Sequence, residues 1–148
     1  MSQDTYTDEA PSAAMTALSR LNGTWKVSGG ATGTVTYEPL DGGHFLMQHV
    51  ELESSGQLNK GIEVIGHLNP FGEGRSELVH SRFYDNGGNT FDYVYELDDD
   101  TLWIWAGEKG SPAYFKGMLS DNDSKLAGAW VYPGGGGYES TSTRVNGS

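Results

Sequence analysis

Apolar and polar positions along this chain alternate in short runs broken by Asp, Asn and Gly, a pattern that predicts strands joined by tight turns. One stretch near the N-terminus departs from it. Over Pro11 to Leu21, Ala14, Leu18 and Leu21 share a helical face, Pro11 suits a first helical turn and Asn22-Gly23 supplies a left-handed stop. The pattern predicts one short amphipathic helix, packed as a lid or plug. About ten strands should follow: Thr24 to Ser28, Gly33 to Pro39, His44 to Glu53, Gly61 to Leu68, Glu77 to Tyr84, Thr90 to Leu97, Thr101 to Ala106, Ala113 to Leu119, Leu126 to Tyr132 and Tyr138 to Val145. Asp85-Asn86-Gly87-Gly88-Asn89 is the clearest hairpin signal, because Asn and Gly accept the positive φ that tight hairpins require. Every connection is short enough for an antiparallel neighbour. The expected fold is therefore all-β, an up-and-down antiparallel β-barrel, whose closure leaves no exposed sheet edge. Residues 1–9 are polar and acidic and are expected to form a flexible tail, with residues 10–148 as a single barrel domain.

In a barrel, one face of each strand looks inward. The sixth strand settles its own direction, since Phe91, Tyr93, Tyr95 and Leu97 oppose Asp92, Val94 and Glu96. Each aromatic ring hides roughly 150 to 250 Å², so reversing this strand would forfeit on the order of 4 to 6 kcal/mol per ring. The third and fifth strands are less decided. Phe45, Met47, His49 and Glu51 oppose Leu46, Gln48 and Val50; Leu78, His80, Arg82 and Tyr84 oppose Val79, Ser81 and Phe83. With the first-named faces inward, histidines, a glutamate and an arginine would stand among aromatic walls. That interior is costly unless the groups pair with one another or with a ligand. With the faces reversed they are solvated surface, and alternation leaves both registers open. Glu63 and His67, flanking Ile65, are expected to point outward. On the seventh strand both Trp103 and Trp105 on one side and Leu102, Ile104 and Ala106 on the other are apolar. One face then needs a cover, either the helix or a second copy of the chain in a homodimer.

Composition narrows the chemistry. The chain has no cysteine, which excludes disulfides and thiolate chemistry, and its net charge of −11 repels phosphate backbones and anionic membrane surfaces. Neither nucleic acid nor membrane is an expected partner. The opening Met1-Ser2-Gln3-Asp4 is neither basic nor apolar and no run reaches spanning length, so the expected location is cytoplasmic. His44 and His49 fall on opposite strand faces and His67 and His80 on different strands, a spacing that offers no metal site; no cofactor is expected. Asp98-Asp99-Asp100 and Asp121-Asn122-Asp123 lack the remaining ligands of a calcium loop and read as turns.

Gly23-Thr24-Trp25 after a short helix, a meander of strands, and Arg144 in the last strand resemble the calycin superfamily, which includes lipocalins and fatty-acid-binding proteins. The resemblance implies that Gly23 and Trp25 sit at the closed end of the barrel and that Arg144 packs across the indole. The order of Leu40-Asp41-Gly42-Gly43, Val64-Ile65-Gly66-His67, Gly128-Ala129-Trp130 and Tyr138 to Arg144 is also similar to a bacterial family of lipocalin-like barrels of unknown function. Nitrobindins share the general layout, but their haem ligand is a histidine near the C-terminus. Here no histidine follows His80, which disfavours haem by that route.

Two functions compete at this level. In the first, the barrel binds a small apolar or aromatic molecule, with Tyr84, Tyr93, Tyr95, Trp105, Phe115, Trp130 and Tyr132 as walls and His49, His80 and Arg82 anchoring a polar or anionic end. In the second, a cofactor-independent isomerase, cyclase or lyase uses His49 or His80 as base, with Tyr95 or Arg82 stabilising negative charge. Aromatic richness favours binding. A third reading, a packed barrel without a cavity, would act through its surface.

Overall fold

The computed structural model describes residues 10–145, so the expected tail of residues 1–9 lies outside the described residues. Helix α1 spans Ala13–Leu18 and continues as a 3₁₀ turn over Ser19–Leu21. It begins later than the sequence predicts because Ser12, and not Pro11, opens it: the Ser12 hydroxyl accepts the Met15 N–H at 3.1 Å. That start also turns the buried face, which is built by Met15, Leu18 and Leu21 while Ala14 is exposed. The positive φ of the stop belongs to Gly23 alone.

Ten strands follow: β1 (Gly23–Gly29), β2 (Thr32–Pro39), β3 (Phe45–Ser54), β4 (Gln57–His67), β5 (Val79–Asp85), β6 (Thr90–Asp98), β7 (Thr101–Ala106), β8 (Tyr114–Ser120), β9 (Lys125–Val131) and β10 (Tyr138–Arg144). Each pairs antiparallel with its neighbours in sequence, and β1 pairs with β10 from Trp25↔Arg144 to Gly29↔Ser140, which closes the barrel. The largest departure from the predicted boundaries is at β4, which starts four residues earlier. Ser55 and Gly56, both with positive φ, make a two-residue hairpin that lets Gln57 to Lys60 pair with the end of β3. All four are exposed and Leu58 is the single apolar residue among them, so no apolar alternation announces them.

The helix closes one end. Trp25 is 1 % exposed and its indole N–H donates to the Leu21 carbonyl at 2.8 Å. The Arg144 guanidinium lies 4.3 Å from the centre of the indole ring and donates to the carbonyls of Asp123 (3.0 Å), Arg20 (2.7 Å) and Asn22. One cation thus satisfies three carbonyls at the joint between the helix, the first strand and the last turn. Arg20 ties the neighbouring turns in the same way, donating to both carboxylate oxygens of Asp123, to Asp100 and to the Asp99 carbonyl. The two acidic turns thus serve as anchor points for Arg20. His67 adds a third tie: its Nδ1 donates to the Ser76 carbonyl at 2.8 Å, and its Nε2 is hydrogen-bonded to the Ser12 hydroxyl at 2.7 Å. This holds the start of α1 to the loop between β4 and β5.

Candidate ligand cavity

Directly opposed residues of antiparallel strands share a face. Tyr93 and Tyr95 point inward, so their partners Ser81 and Val79 do as well; Ile65 follows from Ser81, Leu46 from Ile65, and Gln48 pairs with Glu63 on the same side. The interior of β3, β4 and β5 is therefore Leu46, Gln48, Val50, Glu63, Ile65, Val79, Ser81 and Phe83. This corrects three expectations. His49 is on the outer surface, 3.0 Å from Glu38. His80, Arg82 and Tyr84 are also outside, Arg82 paired with Asp92 at 2.7 and 3.1 Å, and together they line an outer groove with Phe45 and Val64. Glu63 and His67, both expected outside, are on the inner face: Glu63 is 4 % exposed and lines the cavity, and His67, opposite Val79, reaches Ser12 at the start of the helix.

Trp105 is corrected as well. Leu102 and Ile104 take the inner face of β7, so Trp103 and Trp105 stack outside at 4.7 Å between ring centres and 6° between planes. Tyr114 packs on both and Lys116 lies 4.7 Å above Trp103. The helix packs at the closed end against β6 and does not cover this face. Side chains of β7 and β8 cover it in part.

Between the floor at Trp25 and the far end lies a cavity of about 220 Å³. Its walls include Phe83, Tyr93, Phe115, Trp130, Tyr132 and Tyr138, with Trp130 packed 5.9 Å from Tyr93, 5.6 Å from Phe115 and 6.0 Å from Tyr132. Of the residues expected as ligand contacts, Tyr93, Tyr95, Phe115, Trp130 and Tyr132 are brought together here. Local sequence makes room for the rings. A Cβ on Gly117 would stand 2.7 Å from the Phe115 ring, and one on Gly61 would stand 2.7 Å from Phe83.

The polar centre of the cavity is Glu63. Ser81 donates to its Oε2 at 2.5 Å, and Gln48 donates to the Tyr37 hydroxyl at 2.8 Å. Burial pushes the Glu63 carboxyl up to about 7, while the hydroxyls of Ser81 and Tyr95 favour its charged form and pull the other way. Tyr37, Tyr93 and Tyr95 are all pushed above the ordinary tyrosine range, first by burial and then by the charge of Glu63. They stay neutral donors near pH 7. Among the residues lining the cavity there is no Lys, Arg or His. An acid that titrates near neutrality, surrounded by hydroxyl donors and aromatic faces, can accept a cation, share a proton with a neutral polar group, or move a proton.

A closed ten-stranded up-and-down barrel with one short plugging helix fits a calycin-like fold. No protein-family model matches the chain, and no curated protein matches it at a significant level.

Proposed function

We propose that the barrel binds a small, largely apolar or aromatic molecule inside its cavity. The observation that supports this most directly is the aromatic-walled space of about 220 Å³. For scale, an engineered apolar cavity of about 150 Å³ admits benzene, so this one suits a ligand with a single ring and a short polar arm. The test is titration with an apolar fluorescent probe. Saturable binding of one probe per chain is expected, and the absence of any saturable signal would overturn the reading.

One observation favours a second reading. Glu63, with its carboxyl near 7 and the Tyr95 hydroxyl facing it, is a candidate base for a cofactor-independent isomerase, cyclase or lyase. His49 and His80 are outside and cannot serve a substrate in the cavity. On this reading turnover rises as Glu63 ionises around pH 7 and is lost in Glu63→Gln; turnover that ignores both removes it.

A further inference from the structure

We propose that the cavity selects an organic amine in its protonated form, with Glu63 as counter-ion and the wall of Tyr93, Trp130 and Phe115 as the seat of its apolar body. This rests on the reading of the barrel as a small-molecule binder. Glu63 is the one side chain lining the cavity that changes charge in the neutral range, and no base lines the cavity beside it. A bound anion would meet a second acid with no cation to offset it. A neutral ligand would leave the buried carboxyl as taxed by desolvation as before. A cation relieves that cost by pairing with it.

Three further observations agree. Ser81 engages only one of the carboxylate oxygens with its hydroxyl, and an ionised carboxylate has lone pairs for several more donors, which an ammonium supplies. The Trp130 ring, 5.9 Å from Tyr93 and 5.6 Å from Phe115, belongs to a group of aromatic faces that attract cations and pack an aromatic body. The net charge of −11 gives the molecule a field that draws cations and repels anions. Glu63 is faced by Tyr37 of β2, Gln48 of β3, Ser81 of β5 and Tyr93 and Tyr95 of β6. The titratable groups in that set are tyrosines kept neutral by burial, so the pH response of the site belongs to Glu63. The volume fits a one-ring arylalkylamine.

The experiment is isothermal titration of the full chain with 2-phenylethylamine, which stays protonated between pH 5 and 8, alongside neutral 2-phenylethanol and anionic 3-phenylpropionate. Because amine binding requires ionised Glu63, affinity should rise roughly 50-fold from pH 5 to pH 7 and then level. At pH 6 about one proton should leave per amine bound, read by comparing buffers of different ionisation enthalpy. Phenylethanol should bind without this dependence, and phenylpropionate most weakly. Glu63→Gln should abolish the pH dependence and weaken the amine at least about tenfold while sparing phenylethanol. Should that variant fail to fold, proton release in the wild-type protein decides alone. Equal binding of amine and alcohol with no proton release overturns amine selectivity and leaves the cavity reading intact. Preference for phenylpropionate overturns the selectivity as well. If no compound binds and the fluorescent probe also fails to enter, the cavity reading falls and this inference falls with it.

Discussion

Glu63 carries a consequence for stability that is independent of any ligand. Below about pH 4.5, its ordinary value, the carboxyl is protonated in the folded and unfolded chain alike. Between there and about 7 the unfolded chain releases the proton while the folded chain keeps it, so the folded state loses stability as pH rises through this window and levels off above it. At 1.36 kcal/mol per pH unit the loss is about 3 kcal/mol. Asp85, Asp92 and Asp123 are exposed and shifted downward by their hydrogen-bond partners, so they act at lower pH and in the opposite sense. Glu63→Gln removes the titrating group and keeps the side chain's shape. Urea unfolding at pH 5 and pH 8 should show the wild-type protein losing about 2.5 kcal/mol more than the variant, since part of the loss has already occurred by pH 5; parallel profiles would mean that Glu63 titrates alike in both states. No feature around Glu63 in the sequence marks it as an interior acid, because Ile62, Val64 and Gly66 offer an equally apolar alternate face. An indirect route reaches only part of the way. The aromatic face of β6 sets Tyr93 inward and the Asp85 to Asn89 turn sets the β5–β6 register, which turns Ser81 inward, but the eleven-residue connection 68–78 between β4 and β5 fixes no register, so the last step to Ile65 and Glu63 is made by the fold alone.

Individual strands and turns were largely legible, and the faces of several strands were not. Turns are written in residues that tolerate positive φ or cap themselves: Asp85 accepts the N–H groups of Gly87 at 2.9 Å and Asn89 at 2.8 Å, and Asp99 and Asp121 to Asp123 take positive φ. Faces failed where apolar groups stand outside and polar groups inside. Phe45, Ile62 and Tyr84 are exposed on the outer surface, whereas Gln48, Glu63 and Ser81 are buried, so alternation leaves β3 and β5 undecided and points the wrong way on β4. The pairing of β8 with β9 depends on space instead of polarity. Gly117 and Gly128 face each other across β8 and β9, and a Cβ on Gly128 would stand 2.2 Å from the Lys116 carbonyl and 2.5 Å from the Gly117 Cα. Both obstacles are backbone. A Cβ on Gly117 meets the Phe115 ring and Leu126 instead, which are side chains able to move. Gly128→Ala should therefore cost more than Gly117→Ala, by about 2 kcal/mol or more in urea unfolding. Gly117→Ala should in turn disturb ligand binding more, since it displaces a cavity wall. Equal costs would show that the strand pair has slack that this packing denies.

At the scale of the molecule, closure and charge pull in opposite directions. The barrel leaves no free sheet edge, and Arg144 holds the first and last strands across the floor. The chain, however, carries twenty acids against nine bases, and compaction brings the excess negative charge together. Ion pairs offset part of that repulsion: Arg82 with Asp92, Lys60 with Glu51, Lys109 with Glu96, and Arg20 with Asp100 and Asp123. The pairs of Arg82, Lys60 and Lys109 are substantially exposed, and exposed pairs contribute about 0 to 1 kcal/mol each, while Arg20 with Asp123 is bidentate and half-buried. Salt screens both effects, with a Debye length of about 20 Å near 20 mM and about 4 Å near 0.5 M. Screening at that range removes the many long-distance repulsions of an uncompensated charge of −11, and the few short attractive pairs survive it better. Repulsion should therefore be the larger loss. Raising NaCl from about 20 mM to about 0.5 M at pH 7.5 should increase stability by about 1 to 2 kcal/mol, a rise in Tm of roughly 3 to 6 °C. Working at pH 7.5 holds Glu63 mostly ionised, so its titration does not enter the comparison. A falling Tm would show that the Arg20 network and the other pairs outweigh the acidic excess. In that case Arg20→Gln should weaken the salt response, because Arg20 joins the end of the helix to both acidic turns.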